Sequence, residues 1–238
     1  LKCFSDDSAV GAVGASGVLI TLFTGLLIGI STGANVVVAK RIGIGNKERI
    51  NNAVITSILS SFVGGFLLMI IGVAFAETFL KMTNCPESLL PQATLYFKIY
   101  FYGVPLSMLY NFSAAILRAS GDTKRPMWFL ILGGITKIAA TFLFVIVFDM
   151  EVEGVAFSNI VSWVLTSALA FMAVLKSEVV HIDFKRIRFY NSELKEMLFI
   201  GIPSGLQTGM YSFANVVIVA AVNSFGSDAT TGFVIANQ

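Results

Sequence analysis

One charged side chain interrupts a long uncharged run of the sequence. Lys137 lies eleven residues from each end of the run 126–148, which holds no other charged residue. In a helix that rises 1.5 Å per residue, Lys137 would sit roughly 16 Å from either end. A lone charge at that depth of a membrane is unfavourable by several kcal/mol or more. We therefore expect its ammonium to face a bundle interior or a water-filled cavity. Its partner would be a carbonyl, a hydroxyl, a carboxylate elsewhere in the protein, or none if the amine is neutral.

The residues that usually build an enzyme site are scarce in this chain. It has one histidine, His181, and two cysteines, Cys3 and Cys85, without metal-ligand spacing. No acidic residue lies inside any of the long uncharged runs. We therefore predict no catalytic residue, no metal site and no enzyme, and interpret His181 as a solvated surface residue. The two cysteines fall on the same predicted side of the membrane, where a disulfide could form if they are within reach.

Polar side chains within the uncharged runs are further candidates. We single out Asn111, Gln207 and Asn215. Each could line a cavity, but a hydrogen bond between helices is the more common role for such a residue in a membrane. We keep all three as candidates for a substrate or ion pathway.

The composition favours an integral membrane protein over a soluble one. Hydrophobic residues make up 56% of the 238 residues and charged residues only 13%, about half the share found in soluble domains. A run of about 20 apolar residues is long enough to cross the hydrocarbon core as a helix. The pattern predicts an all-α polytopic bundle with six spanning helices, in runs 8–39, 50–76, 99–117, 126–148, 154–175 and 197–227. The two longest runs are expected to include interfacial turns.

The charged residues predict how these helices are oriented. Twelve of the 16 basic residues fall in the segments 40–49, 118–125 and 176–196, while most acidic residues fall in the alternate loops. By the positive-inside rule, the three basic segments are cytoplasmic. The protein is thus expected in the cell membrane, in contact with lipid headgroups, and the net charge of +2 gives no reason to expect nucleic-acid binding. An outer amino terminus without a signal sequence predicts at least one further helix upstream.

A short repeat suggests two similar halves. The same four residue types occur at the same spacing in 7–15 and 228–236, as Asp7, Gly11, Val13 and Ala15 and as Asp228, Gly232, Val234 and Ala236. Transporters often consist of two related halves. We therefore predict first-lobe helices in 1–175, lacking the first one, a cytoplasmic inter-lobe loop in 176–196, and the start of a second lobe in 197–238.

Glycines and prolines within the runs predict close helix packing. Gly25, Gly29 and Gly33 recur every four residues in the first run, and Gly201, Gly205 and Gly209 do so in the last. Residues four apart share one helix face, so each triplet forms a groove that another backbone can approach. A sliding face is the functional alternative. Pro105 and Pro203 lie inside runs, where either could kink its helix and free carbonyl groups.

Several of these features together resemble the multidrug and toxic compound extrusion (MATE) family of transporters, from its second helix to the start of its eighth. The resemblance rests on five motifs in order, at residues 29–35 (GISTGAN), 39–47 (AKRIGIGNK), 116–127 (ILRASGDTKRPM), 154–156 (GVA) and 200–205 (IGIPSG). It implies twelve helices in two six-helix lobes around a cavity. It also implies export of organic, drug-like cations by antiport with H⁺ or Na⁺, without a cofactor and as a monomer.

The family's ion-site residues transfer only in part. By this resemblance, Lys137 and Thr141 stand where prokaryotic members carry an Asn and an Asp, Asn159 stands at a Thr, and Tyr211 at a Glu. An acidic partner is thus replaced and a cation is present. We hypothesise that Lys137 is a built-in cation that pairs with a carboxylate on the first helix in one conformation, or carries the coupled proton itself. The departures put ordinary Na⁺ coupling at these positions in doubt.

The sequence leaves two other functions open. A lipid-linked saccharide flippase of the same superfamily would share the helices, although the loop 121–126 favours the extrusion family. A membrane-embedded enzyme is less consistent with the sequence, because it needs paired acids, a nucleophile with its base, or metal ligands at membrane depth.

Overall fold

The computed structural model describes residues 7–82, 90–177, 179–180 and 187–223. Within these ranges the chain is helical and has no β-strand. Helix α5 continues into a single π-helical turn at Leu143–Val147. The seven helices are α1 Asp7–Ile44, α2 Lys47–Ala74, α3 Ala76–Met82, α4 Leu90–Ala119, α5 Lys124–Phe142, α6 Val152–Leu175 and α7 Asn191–Asn223.

The six predicted runs are helical where they are described, apart from Phe75 and Phe148, but the predicted count of six spans is slightly off. By length and composition, four of the described helices could cross a membrane: Phe23–Ile44, Lys47–Ala74, Lys124–Val147 and Val152–Leu175. Helices α4 and α7 are long enough, at 30 and 33 residues. Helix α4 is less apolar because it carries buried serines and tyrosines, and most side chains in the second half of α7 lie outside the described residues. Charge-free runs alone overlook this difference.

The basic segments are shorter turns than predicted. Helix α1 continues without an interfacial turn to Ile44, and α2 begins at Lys47. Gly45 has a φ of +75°, the left-handed conformation that commonly ends a helix. The Asn46 side chain then accepts a hydrogen bond of 3.1 Å from the Arg49 amide and caps α2. The third basic segment is also shorter, because α7 begins at Asn191.

The turn between α4 and α5 uses the same chemistry. Gly121 has a φ of +86°, and the Asp122 amide donates to the Leu117 carbonyl at 3.0 Å. The Asp122 carboxylate accepts a 3.1 Å hydrogen bond from the Arg125 amide. Two of the family-like motifs thus encode a glycine helix end followed by a side-chain cap.

The core lies where α1, α2, α4 and α6 meet. Helix α4 is central, since it packs against the other three, and its Phe97, Phe101 and Phe112 are almost fully buried. The Asn35 amide of α1 donates to the Ala115 carbonyl of α4 at 2.8 Å. Helix α5 lies at the edge, mainly against α6, and α7 packs chiefly against α1. Pro105 is buried in α4 with its Cα next to Gly65 of α2, so it packs between these two helices.

The two predicted glycine grooves pack against each other. A Cβ atom added to Gly29 would lie 2.0 Å from the Gly205 Cα atom, and one added to Gly33 would lie 2.2 Å from the Met197 carbonyl oxygen. Gly201 similarly approaches the Ile30 backbone. Gly209 has open space around it. The prediction of close backbone packing is confirmed for Gly29 and Gly33 of α1 and for Gly201 and Gly205 of α7.

Candidate functional site

Lys137 lies near the middle of the helix that α5 forms with the π-helical turn. This helix, Lys124–Val147, is one of the four able to span a membrane. The Lys137 side chain is exposed, and it forms no ion pair within the part of the chain that the structure describes. The described helices therefore leave this cation uncovered, and a partner for it stays a prediction.

A row of hydroxyl groups joins α5 to α6 next to Lys137. The Thr141 hydroxyl lies 2.8 Å from both the Lys137 carbonyl oxygen and the Ser158 Oγ atom. One helical turn further along α6, the Ser162 hydroxyl donates to the Gly133 carbonyl at 2.8 Å. A Cβ atom at Gly133 would lie 2.4 Å from the Thr166 methyl carbon. The helices are thus held close by small and polar residues, and this seam sets the position of Lys137.

Asn159 is part of α6 but faces a different set of neighbours. Its side chain is buried, donates to the Val155 carbonyl at 3.0 Å and is a hydrogen-bond partner of Tyr96 on α4. Ser158, one residue earlier, is the group that contacts Thr141. The structure thus brings Lys137 and Thr141 together and places Asn159 nearby, on the side that faces α4.

The remaining candidates do not join this cluster. Asn111 donates to the Ser107 carbonyl of its own helix at 2.8 Å, so this bond does not link two helices. Gln207 and Tyr211 are exposed on α7, and the described parts of α5 and α7 make no contact. The side chain of Asn215 lies outside the described residues, as do Cys3, Cys85, His181 and the repeat at 228–236.

The structure adds a group of charges that the sequence pattern did not identify. Arg41 near the end of α1 contacts Glu193 at 2.9 Å and Glu196 at 2.6 Å, both at the start of α7. Lys40 contacts Glu196 at 2.5 Å. The Arg41 and Glu193 side chains are only 8% and 6% exposed. We call Lys40, Arg41, Glu193 and Glu196 the ion-pair cluster.

The electrostatics of this cluster follow from its contacts. The hydrogen bond from Lys40 and the positive charge of Arg41 lower the pKa of Glu196 below its ordinary value of 4.5.

The spacing of the charged residues was the sequence signal that could have predicted the ion-pair cluster. Two adjacent basic residues end one helix, and two acidic residues three apart, on one helix face, begin another. This pairing was not predicted, because the basic residues were interpreted only as signals of membrane orientation.

No metal site is evident in the described ranges. Those residues contain no group of three or more His, Cys, Asp or Glu side chains that could hold a metal ion. What the α5–α6 seam offers instead is hydroxyl and carbonyl oxygens on a helix that also carries the exposed Lys137 side chain. This arrangement can exchange hydrogen bonds and charge with a partner that approaches from the exposed side.

Comparison with known proteins decides the family. The model of the MatE family matches residues 3–143, more than half of the chain. The chain belongs to the MatE family. This confirms the multidrug and toxic compound extrusion resemblance, and with it the all-helical, multi-pass membrane architecture.

This MatE chain is similar to bacterial proteins named for multidrug resistance. It is 29% identical to "Probable multidrug resistance protein YoeA" of Bacillus subtilis (strain 168), over 97% of this chain and 51% of the relative. It is 26% identical to "Probable multidrug resistance protein YpnP" of the same organism, over 94% of this chain and 50% of the relative. The chain thus spans about half the length of the curated relatives it matches.

Solved structures show the same fold. A crystal structure of MATE in complex with MaD3S superposes with a TM-score of 0.88 at 23% sequence identity, over 96% of this chain and 52% of that chain. The helix arrangement described above is therefore the MATE arrangement.

Proposed function

We propose that this MatE chain forms part of a secondary active transporter that exports organic, drug-like cations. The family membership and the multidrug-resistance names of its relatives support this proposal. Export is coupled to inward flow of H⁺ or Na⁺, and the complete protein is a monomer. Residues 1–175 supply first-lobe helices. The second lobe, which the sequence predicted to start at 197, starts with α7 at Asn191, so the inter-lobe connection is 176–190.

The observation that carries the coupling proposal is Lys137. It stands in a membrane-capable helix with its side chain uncovered by the described helices. A cation at membrane depth is retained where it meets a charged or polar partner or an ion pathway. We propose that Lys137 pairs with a carboxylate on another helix of the complete transporter in one conformation and is released in the other. Thr141 and Ser158 keep α5 and α6 in register while this exchange occurs.

Transport by the complete protein tests the general proposal. It is reconstituted into liposomes loaded with ethidium, a fluorescent organic cation, and a pH or Na⁺ gradient is then imposed. The expected result is dye movement against its concentration gradient that stops when an ionophore collapses the ion gradient. Dye movement that is the same with and without a pH or Na⁺ gradient would contradict antiport. Translocation of a fluorescent lipid-linked saccharide without any dye movement would favour the flippase alternative.

The Lys137 role has its own test. Lys137→Ala and Lys137→Gln both remove the charge, and both are expected to abolish gradient-driven transport. Lys124→Gln removes an exposed lysine from the first turn of the same helix and should leave transport unchanged. Undiminished ion-driven export by both Lys137 variants would refute the proposed role.

A further inference from the structure

The ion-pair cluster joins two helices that belong to different halves of the proposed transporter. Helix α1 lies in the first half and α7 begins the second. Arg41 binds Glu193 and Glu196, which are almost one helical turn apart, and its side chain is 8% exposed. An arginine held by two carboxylates in this way is fixed in position as well as neutralised. The cluster is therefore a specific contact between the halves and more than a loose surface attraction.

The seam beside the cluster has a different character. Gly29 and Gly33 of α1 meet Gly201 and Gly205 of α7 backbone to backbone. No charged residue lies in 8–39 or in 197–227. At these positions no long side chains interlock, so the glycine surfaces themselves can separate without a change of rotamer. The electrostatic attraction across the seam is thus concentrated at one end.

That end is the cytoplasmic end. Lys40 and Arg41 belong to the first of the three basic segments, which the positive-inside rule assigns to the cytoplasm. Met197, the residue after Glu196, is buried and lies beside Ser57 of α2 with its sulfur 3.6 Å from the hydroxyl. The cluster therefore closes the cytoplasmic edge of the contact between α7 and the first-half helices.

We propose that the ion-pair cluster is a latch that holds the cytoplasmic ends of α1 and α7 together. The structure corresponds to the latched form, with the ends of α1 and α7 in contact. Opening toward the cytoplasm breaks the Arg41 and Lys40 ion pairs and separates the glycine surfaces. The proposal rests on the transporter function proposed above, because only a protein with two moving halves needs such a latch.

A distance measurement between the two helix ends tests the latch. Spin labels are attached in the complete protein at Gly43→Cys on α1 and Lys195→Cys on α7, with Cys3 and Cys85 replaced by Ser. Both labelled positions are exposed, and a Cβ atom at Gly43 meets nothing within 4 Å. In lipid nanodiscs, Arg41→Gln and the double variant Glu193→Gln/Glu196→Gln are expected to shift the distance distribution to longer values.

The matched control is Arg49→Gln. Arg49 is a basic residue of the same segment with an exposed side chain, and it takes no part in the cluster, so its loss should leave the distribution unchanged. If Arg41→Gln does not fold, Glu196→Gln serves alone, since Glu196 is 25% exposed and loses less on substitution. A variant that melts at lower temperature but keeps the short distance would show a merely structural ion pair and overturn the latch.

The measurement separates this inference from the transporter proposal. Longer distances in a protein that moves no ethidium would support the latch and count against the proposed substrate class. Unchanged distances in a protein that transports ethidium would overturn the latch and leave the function standing.

Discussion

At the residue scale, Arg41 and Lys137 are two cations with opposite surroundings. Arg41 is enclosed by two carboxylates, whereas Lys137 meets no carboxylate among the described residues and is exposed. Removing one partner of a buried ion pair is strongly destabilising, because the other charge is then left buried without compensation. The two residues should therefore give different phenotypes, loss of stability for Arg41 and loss of transport for Lys137.

Arg41→Ala is expected to lower the free energy of unfolding by about 3 kcal/mol, the low end of the effect of breaking a buried pair. Lys81→Ala breaks the exposed pair between Glu77 and Lys81 within α3 and should change stability little. Thermal unfolding of both variants in detergent, followed by intrinsic fluorescence, measures the contrast. Equal melting temperatures for the two variants would contradict the burial argument.

The lowered pKa of Glu196 predicts a pH dependence of stability. Because the folded state favours the charged carboxylate, Glu196 stabilises the fold above its ordinary pKa of 4.5. That contribution is lost as the pH falls through the lowered pKa of the folded state. Glu196→Gln should remove this part of the acid sensitivity in melting experiments run across that range, while Glu153→Gln at the start of α6 serves as the control. An identical pH profile for wild type and Glu196→Gln would contradict this assignment.

At the element scale, the α1–α7 seam depends on residues without side chains. Gly29→Ala would place a Cβ atom 2.0 Å from the Gly205 Cα atom, and a backbone contact cannot rotate away. We expect the two helices to separate and the melting temperature to fall. Gly43→Ala meets nothing within 4 Å and should be neutral or slightly stabilising, since alanine favours helix by about 1 kcal/mol over glycine. A tolerated Gly29→Ala would show that the seam is not close-packed in the membrane.

The sequence predicted the elements better than their partners. Charge-free runs located the helices, and four-residue glycine spacing predicted two grooves, because both signals are local. That Gly29 meets Gly205 depends on contacts between residues more than 170 positions apart, which no local pattern encodes. The same limit applies to the site. Lys137 is recognisable from the sequence as a charge in an apolar run. The role of Arg41 depends on its contact with Glu193 of α7, which the local sequence does not indicate.

At the scale of the whole molecule, the charge distribution predicts sidedness. In a background with Cys3 and Cys85 replaced by Ser, a membrane-impermeant maleimide added to intact cells should label Thr78→Cys, an exposed position on α3. Lys47→Cys and Lys124→Cys, exposed in the first two basic segments, should react only after the cells are opened. Labelling of either lysine position from outside would reverse the proposed topology.

In the transporter proposed above, this MatE chain contributes a latch at the cytoplasmic ends of α1 and α7 and a cation, Lys137, at membrane depth. Since the chain spans about half the length of its curated relatives, the partner of Lys137 is sought in the complete protein. Ion movement evoked by substrate depends on both proposed features, because it requires a coupling group and two conformations.

The most direct test measures proton or Na⁺ movement evoked by ethidium in proteoliposomes that contain the complete protein. We predict that ethidium evokes a counter-directed ion flux in the wild type and in Lys124→Gln, and that Lys137→Gln abolishes this flux. An ethidium-evoked flux of wild-type size in Lys137→Gln would contradict the proposed coupling role of Lys137.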